Sequence, residues 1–547
     1  MAETIQGKIF RKFEEISSTP FARHFIYILA LLILIFFILV PPLLGITFKF
    51  SLIGQVLNDG ALLSRAKGAI FWSFAIAFSI AFIDLIFALP MAWFIARSGS
   101  KWVSVIDALV DIPFIIPTVA LGFSNLLFWS TSEISPLRFL GISIPAGLFL
   151  VLFLHFAFSY PVIVRVMVGE LLSYKSIYET AAKTLGARSF TIARTVTLPI
   201  LRPGLLAAFL LAFARSLSET GATVIVAGVF ENGPVFIKNM KDAGLEGPMV
   251  LVSFTLIIAS IAVFAIIRFM GPRLKIPINR VYPNPEKSLS GKFSVLTRDT
   301  STLLIFALFV FIPSLFITVP VIGALTDGTL QKALSGTGIW AYYWQAMTNS
   351  YIIGILVTIL NVLAGLPIAI LIARKRLGRL GTAILDAAVN VPIVVPSVAL
   401  GVSLSLFWKS ISFLPEFWII VFAHMTITYT YFVQAMAASI EQIPEEMEET
   451  ARTLGSRPLN VFRRIILPLT KYAVMSGAIL TFTRSIDETG ATTAVSSQIK
   501  TAPVLLVSWV KNTVPATTSD IALGISFLVL TSFISLLILR LLVYRRK

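Results

Sequence analysis

Tyr178-Glu-Thr-Ala-Ala-Lys-Thr-Leu-Gly186-Ala-Arg188 and Met447-Glu-Glu-Thr-Ala-Arg-Thr-Leu-Gly455-Ser-Arg457 are two copies of one polar phrase. Each is followed by Leu-Pro (Leu198-Pro199 and Leu467-Pro468). Each then reaches a second phrase, Arg215-Ser-Leu-Ser-Glu219-Thr-Gly-Ala-Thr223 or Arg484-Ser-Ile-Asp-Glu488-Thr-Gly-Ala-Thr492. The offset is 269 throughout, as 455 − 186, 468 − 199 and 488 − 219. A charged block kept in register with an apolar one, twice, marks a duplicated unit.

The setting of these phrases is apolar. Hydrophobic residues make up 57% of the 547 and charged residues 13%, with mean hydropathy +0.90. Soluble domains carry about 25% charged residues, so most of this surface must face lipid or other apolar helices. Runs of about 20 apolar residues, enough to cross the hydrocarbon as helix, lie near 25–46, 69–96, 104–129, 146–168, 204–228 and 249–268. A second set lies near 302–323, 349–373, 383–408, 416–437, 473–496 and 520–541. Runs this long argue against the short alternating strands of a barrel. The expected fold class is all-α: a polytopic membrane protein of about 12 transmembrane helices in two parallel six-helix repeats. The expected domains are a first repeat at 1–271, a cytoplasmic linker at 272–300 and a second repeat at 301–547. The run near 25–46 has the basic flank of a signal peptide but is too long for one, and it reads as a span.

The net charge of +17 is a topology signal. Lys8, Arg11, Lys12 and Arg23 precede the first span, and Arg97 and Lys101 follow the second. Lys175, Lys183, Arg188, Arg194 and Arg202 sit between spans four and five, and Arg273, Lys275 and Arg280 lie in the linker. The second half repeats the pattern with Arg374, Lys375, Arg376 and Arg379, then Arg452, Arg457, Arg463, Arg464 and Lys471. Arg545, Arg546 and Lys547 end the chain. With twelve spans all of these fall on one side, which the positive-inside rule makes the cytoplasm, with both termini there. Loop charge beside membrane spans needs no nucleic acid to explain it. No cysteine is present, so a disulfide or thiolate metal site is excluded. Neither a nucleophile–base constellation nor a metal-ligand cluster is visible, and no catalytic or metal residues are assigned.

Pro113-Phe-Ile-Ile-Pro117 and Pro392-Ile-Val-Val-Pro396 interrupt spans three and nine at matching places. Two prolines four apart cannot sit in a straight helix. They leave two readings open, a packing kink or a broken segment beside a conduction path. The polar phrases themselves read as short helices. Pro444 and the following acids open the second one, and Gly455 closes it as Gly186 closes the first. A helix–Gly–helix elbow rich in small residues, present twice, is a docking element for a partner.

The elbow resembles the coupling motif Glu-Ala-Ala-x-x-x-Gly of the membrane subunits of ABC-type importers. Here it stands as Thr180-Ala181-Ala182-x3-Gly186, with Glu179 adjacent, and Glu449-Thr450-Ala451-x3-Gly455. Thr180 replaces the usual Glu, and Thr450 an Ala. The chain is similar to two such permeases of the type I importer fold fused end to end. The resemblance implies two copies of a cytoplasmic ABC ATPase docked at the elbows, carrying ATP and Mg that this chain does not bind. It also implies an extracytoplasmic solute-binding protein. Consistently, no phosphate loop is present: Ser290-Gly291-Lys292 is preceded at 286 by Glu rather than Gly. A secondary transporter driven by an ion gradient is the alternative of another class, and it has no use for the elbows.

Ionisable residues inside spans are few and informative. Arg215 and Glu219, and Arg484 and Glu488, are each four apart, a spacing that puts a self-neutralising pair on one helix face. They read equally as structural pairs or as gate residues. Asp487 stands where the first copy has Ser218, and it is expected to substitute partly for Glu488. His155 and His424 match at offset 269 and suit helix–helix hydrogen bonding. The second phrase resembles that of molybdate, tungstate and sulfate permeases, departing at Thr220 and Thr489. The fused architecture is similar to ferric-iron and thiamine permeases. The arginines suit an oxyanion and the carboxylates a cation; the expected cargo is a small inorganic ion such as molybdate, tungstate or sulfate, with ferric iron or thiamine as the alternative.

Overall fold

A computed structural model describes residues 15, 19–99, 101–130, 134–270 and 282–544. Lys8, Arg11, Lys12, Arg273, Lys275, Arg280 and Arg545 to Lys547 lie outside the described residues, as do residues 272–281 of the expected linker. The described residues form helices and connecting turns.

Among the described residues, nine helices are long and apolar enough to span, and up to twelve if each bent pair is one span. In the first half these are α1 (His24–Leu57), α2 (Gly60–Arg97), α3 (Val103–Phe114 with Thr118–Trp129), α4 (Leu148–Ser173), α5 (Ser189–Ile200 with Arg202–Ser218) and α6 (Glu246–Ile267). The second half has α7 (Lys292–Thr326), α8 (Ile339–Ala373), α9 (Gly378–Val394 with Ser397–Lys409), α10 (Glu416–Glu441), α11 (Pro458–Ile486) and α12 (Thr518–Ser535). The helix α7 begins at Lys292, inside the stretch assigned to the linker from sequence.

Proline placement explains the local irregularities. Four π-helical segments, Leu34–Leu39, Ala193–Thr197, Phe306–Phe311 and Phe462–Ile466, each end two residues before a proline: Pro41, Pro199, Pro313 and Pro468. A proline ring presses on the carbonyl four residues earlier, and in each case that residue lies inside the π segment. One extra residue in the turn gives the ring room. The Pro-x-x-x-Pro motifs go further. They break α3 by 103° and α9 by 104°, so each span is two pieces.

Spans five and eleven correct the sequence reading. Their helices do not run on to 228 and 496; they stop at Ser218 and Ile486. Separate short helices, Gly221–Val226 and Gly490–Val495, follow. The cause is local: Glu219 is extended, with φ −74° and ψ 126°, and the Thr-Gly that follows carries little helix propensity.

The first helix of each half packs on the other half. Ser403 Oγ of α9 donates to Pro41 O (3.0 Å) and accepts from Ile46 N (3.1 Å). In mirror fashion, Ser124 Oγ of α3 donates to Pro313 O (2.6 Å) and accepts from Ile317 N (2.8 Å). Accordingly α7 shares a hydrophobic core with α2, α3 and α4, and α1 shares one with α8, α9 and α10. In lipid these contacts rest on dispersion and hydrogen bonding, since hydrocarbon offers no hydrophobic drive between apolar helices.

Candidate functional site

Both elbows fold alike. The helices Ile177–Thr184 and Glu445–Thr453 end on Gly186 and Gly455, each at φ +85°. Gly186 N bonds Lys183 O (3.0 Å) and Ala187 N bonds Ala182 O (3.0 Å). Gly455 N to Arg452 O and Ser456 N to Ala451 O repeat this, both at 2.9 Å. This is a Schellman turn, which places the glycine in the left-handed region and leaves its neighbours free to protrude. Leu185 and Leu454 are 88% and 82% exposed at the two tips.

Thr180, Ala181, Gly186, Glu449, Thr450 and Gly455 are exposed, and Ala182 and Ala451 half-buried. Glu179 turns inward instead. It pairs with Arg97 at the end of α2 (3.1 Å) and accepts from Thr197 Oγ1 (3.2 Å). Its mirror is Glu448, which sequence reading passed over; it pairs with Arg374, just past α8, at 2.7 Å. These struts clamp each elbow to the end of a span. Breaking such a buried pair costs about 3–5 kcal/mol. The offset of 269 was the signal for Glu448, since 179 + 269 = 448.

The second pair of phrases meets at the interface between the halves. A Cβ on Gly221 would lie 2.7 Å from Thr489 Oγ1 and 2.8 Å from Thr489 Cβ. A Cβ on Gly490 would lie 2.3 Å from Ser397 Oγ and 2.9 Å from Thr220 Oγ1. The Thr-Gly of one half therefore crosses the Thr-Gly of the other with no room for a side chain between. Thr118, Ser218, Glu219, Arg484, Asp487 and Glu488 line the small polar crevice at this crossover.

The acidic residues are already engaged. Glu219 lies 3.9 Å from Arg215 and accepts from Ala222 N (3.1 Å). Glu488 lies 2.7 Å from Arg484 and accepts from Ala491 N (2.9 Å). Each glutamate sits just past the helix that carries its arginine, so it caps the short helix as well as neutralising the guanidinium. Arg215 also stacks over Phe158, 5.4 Å from the ring centre. Asp487 reaches into the other half, where its Oδ1 accepts from Thr118 N (2.8 Å), at the start of the second piece of α3. Ser218, its mirror, only donates to Arg215 O in its own helix (3.2 Å).

The histidines tie the broken segments together. His155 bridges Ser216 (2.8 Å) and Thr223 (2.9 Å), on either side of the first break. His424 bridges Ser485 (2.9 Å) and Thr492 (2.7 Å) across the second.

Sequence reading missed other polar groups. Arg165 donates to Asp107 (2.6 Å) and to Asp111. Gln434, Asp386 and Asn390 hold the mirror positions, with Gln434 donating to Asp386 Oδ1 (2.8 Å). Asp107 and Asp111 are 38% and 40% exposed, and Arg165 balances part of their charge at the start of α3. Asp84, buried in α2, accepts from Ser159, and Asn361 with Thr428 (2.8 Å) replaces that pair in half two. A lone acid in the run 69–96 was the available signal for Asp84. Lys241, on the helix Gly233–Asp242, donates to Thr493 O and to Ser496 O (2.7 Å) of the other half. Burial, and then the nearby charge of Lys409, push its ammonium down to about 8.

Residues 85–276 and 365–546 both match the family model described as binding-protein-dependent transport system inner membrane component. The chain is 32% identical to the molybdate/tungstate transport system permease protein WtpB of Thermococcus kodakarensis over 171 residues, 31% of this chain and 68% of the relative. It is 28% identical to WtpB of Pyrococcus abyssi over 212 residues, 39% of this chain and 84% of the relative. It is 29% identical to the sulfate transport system permease protein CysT of Salmonella typhimurium over 183 residues, 29% of this chain and 65% of the relative.

Proposed function

The chain belongs to the family of binding-protein-dependent transport system inner membrane components, and from that premise we propose that its two halves enclose one pathway for a small oxyanion. It is a permease subunit of an ABC importer and not an enzyme; separate partner subunits hydrolyse the ATP. A pathway driven by an ion gradient therefore drops out.

The duplicated elbow carries the finer reading. Two identical Schellman turns, each clamped to a span end by a buried Glu–Arg strut, suit two copies of a cytoplasmic ATPase carrying ATP and Mg. The contact set is Thr180, Ala181, Ala182, Gly186, Glu449, Thr450, Ala451 and Gly455, with Leu185 and Leu454 at the tips. Glu179 and Glu448 support it from behind. Loop charge supports the elbow face as cytoplasmic, with both termini there. An extracytoplasmic binding protein then delivers cargo to the opposite face. The division into repeats at 1–271 and 301–547 with a linker between them is kept in this plan, with α7 of the second repeat beginning at Lys292 inside the linker stretch.

The Thr-Gly crossover is the gate on the delivery side. Arg215, Glu219, Arg484, Asp487 and Glu488 surround it. The names of the relatives support molybdate, tungstate or sulfate as cargo. The geometry leans the same way, because all three carboxylates at the gate are already held by N–H groups or arginine. Coordinating ferric iron or a thiamine cation would require stripping those bonds. The test is uptake into proteoliposomes holding the permease, its ATPase and its binding protein. ATP-dependent entry of molybdate or sulfate is expected. Entry of ferric iron or thiamine with no oxyanion entry would overturn the cargo assignment.

A further inference from the structure

The two halves of the gate are chemically unequal. The short helix Gly490–Val495 of half two is held to half one at both ends. Before its start, Asp487 accepts the hydrogen bond of Thr118 N, the leading N–H of the twelve-residue helix Thr118–Trp129. Pro117 precedes that helix and offers no side-chain cap, so the carboxylate fills the vacant cap from across the interface. At the other end, Lys241 donates to the carbonyls of Thr493 and Ser496. Glu416 fixes that same turn to α10. Its Oε1 accepts from Ser496 Oγ (2.9 Å) and from the N–H groups of Ser497, Gln498 and Ile499, each at 3.0 Å. Lys241 thus pulls on a rigid turn.

Among the described residues, half one has neither tie. Offset 269 places Ser218 opposite Asp487 and Val510 opposite Lys241. Ser218 bonds within its own helix, and valine has no polar group to donate.

We propose that Asp487 and Lys241 form a one-sided latch that holds the delivery-side gate closed until the binding protein docks. The latch rests on reading the Thr-Gly crossover as the gate. The halves must separate there before anything the size of an ion can pass, since the crossover has no room for one added carbon. Both ties bridge the halves, so both must break in that movement. Losing a charge-assisted hydrogen bond that only the closed state makes shifts the population toward open. Asp487 and Lys241 act as positioning residues for the gate, not as contacts to cargo.

The chain has no cysteine, which permits a clean reporter. Ser218→Cys lines the crevice, and a membrane-impermeant maleimide is added at the face opposite the elbows. In the otherwise unchanged complex with ATPase, labelling should be slow at rest and faster with binding protein, ATP and vanadate. Asp487→Ser and Lys241→Met, which copy the first half's chemistry, should each raise resting labelling about tenfold. Each should also raise ATPase activity in the absence of binding protein, a readout that mere loss of stability would not increase. Asp487→Asn keeps the shape and an acceptor but loses the charge, and it should give a smaller rise if the serine variant does not assemble. Labelling that responds to ATP in the parent but is unchanged at rest in the variants overturns the latch alone. Labelling that never responds in the parent overturns the gate and the latch together. A rise in the Asp487 variants without one in Lys241→Met removes Lys241 from the latch.

Discussion

Glu219 and Glu488 occupy equivalent positions, yet they do not carry equal loads. Glu488 is 2.7 Å from Arg484 and 1% exposed, whereas Glu219 is 3.9 Å from an arginine that also rests on Phe158. The sequence suggested that Asp487 would stand in for Glu488. The structure denies it that freedom, because Asp487 is committed to Thr118 N. Glu488→Gln should therefore be the worse change, lowering stability by about 3 kcal/mol against about 1 kcal/mol for Glu219→Gln. Thermal unfolding of both variants in detergent checks the order, and equal shifts would show that the pairs are equivalent after all. Pairing Glu488→Gln with Arg484→Gln should restore part of the loss, because the stranded cation is then gone. The two glycines at the crossover differ in the same quiet way. The added methyl of Gly490→Ala meets first the rotatable hydroxyl of Ser397 and then Thr220 Oγ1 at 2.9 Å, while that of Gly221→Ala meets Oγ1 and Cβ of Thr489 together, at 2.7 and 2.8 Å, so turning the hydroxyl gives it no relief. Gly221→Ala should thus leave the gate ajar and the ATPase poorly coupled, with Gly490→Ala milder. Comparing ATP turnover with and without binding protein distinguishes them.

Among the elements, the elbow was the most legible, because its signal is local: a helix of good formers, a glycine at its end and a Leu-Pro at fixed distance. Gly186→Glu and Gly455→Glu should each abolish co-purification of an ATPase copy while leaving the membrane fold intact, since nothing lies within 4 Å of a Cβ at either position. Gly→Ala at the same sites should weaken the turn by about 1 kcal/mol through its left-handed φ and reduce docking only partly. Normal ATPase recovery with both glutamate variants combined would refute the docking assignment. The proline-broken spans were legible as interruptions, but their geometry was not, because proline fixes where a helix fails and not which way the chain leaves. Spans five and eleven were misread for a related reason. Apolar content runs unbroken through Gly221–Val226 and Gly490–Val495, and a hydropathy run cannot see that the glutamate before each short helix has left the helix to cap it. Lys241 and Thr118 were invisible for want of partners, because their roles depend on residues distant in the chain, while Glu448 was legible only through the repeat offset from Glu179.

At the scale of the molecule, the repeat gave twelve spans and two halves, but not the exchange of α1 and α7 between them. No periodicity records which neighbour a lipid-facing helix will choose. That exchange also sets an order of assembly. Ser124 is already in the membrane when Pro313 is made, so α7 finds its seat waiting. By contrast, Pro41 and its partner Ser403 are 362 residues apart. At ordinary rates of synthesis α1 waits roughly 20–70 s before α9 and α10 emerge. Its inner face, including Ile38, fully buried in the finished fold, spends that interval against lipid. A photoreactive residue at position 38 should crosslink to lipid in chains halted at residue 376 and to protein in the full chain. Identical crosslinks in the two would mean that α1 has another early partner. The newborn chain is therefore lopsided in time: the C-terminal end of its first helix meets α6 early, through Lys49–Glu246 and Phe50 on Phe254, but the stretch around Ile38 is a guest without a host until the second repeat arrives, and a ribosome that stalls midway leaves that stretch stranded.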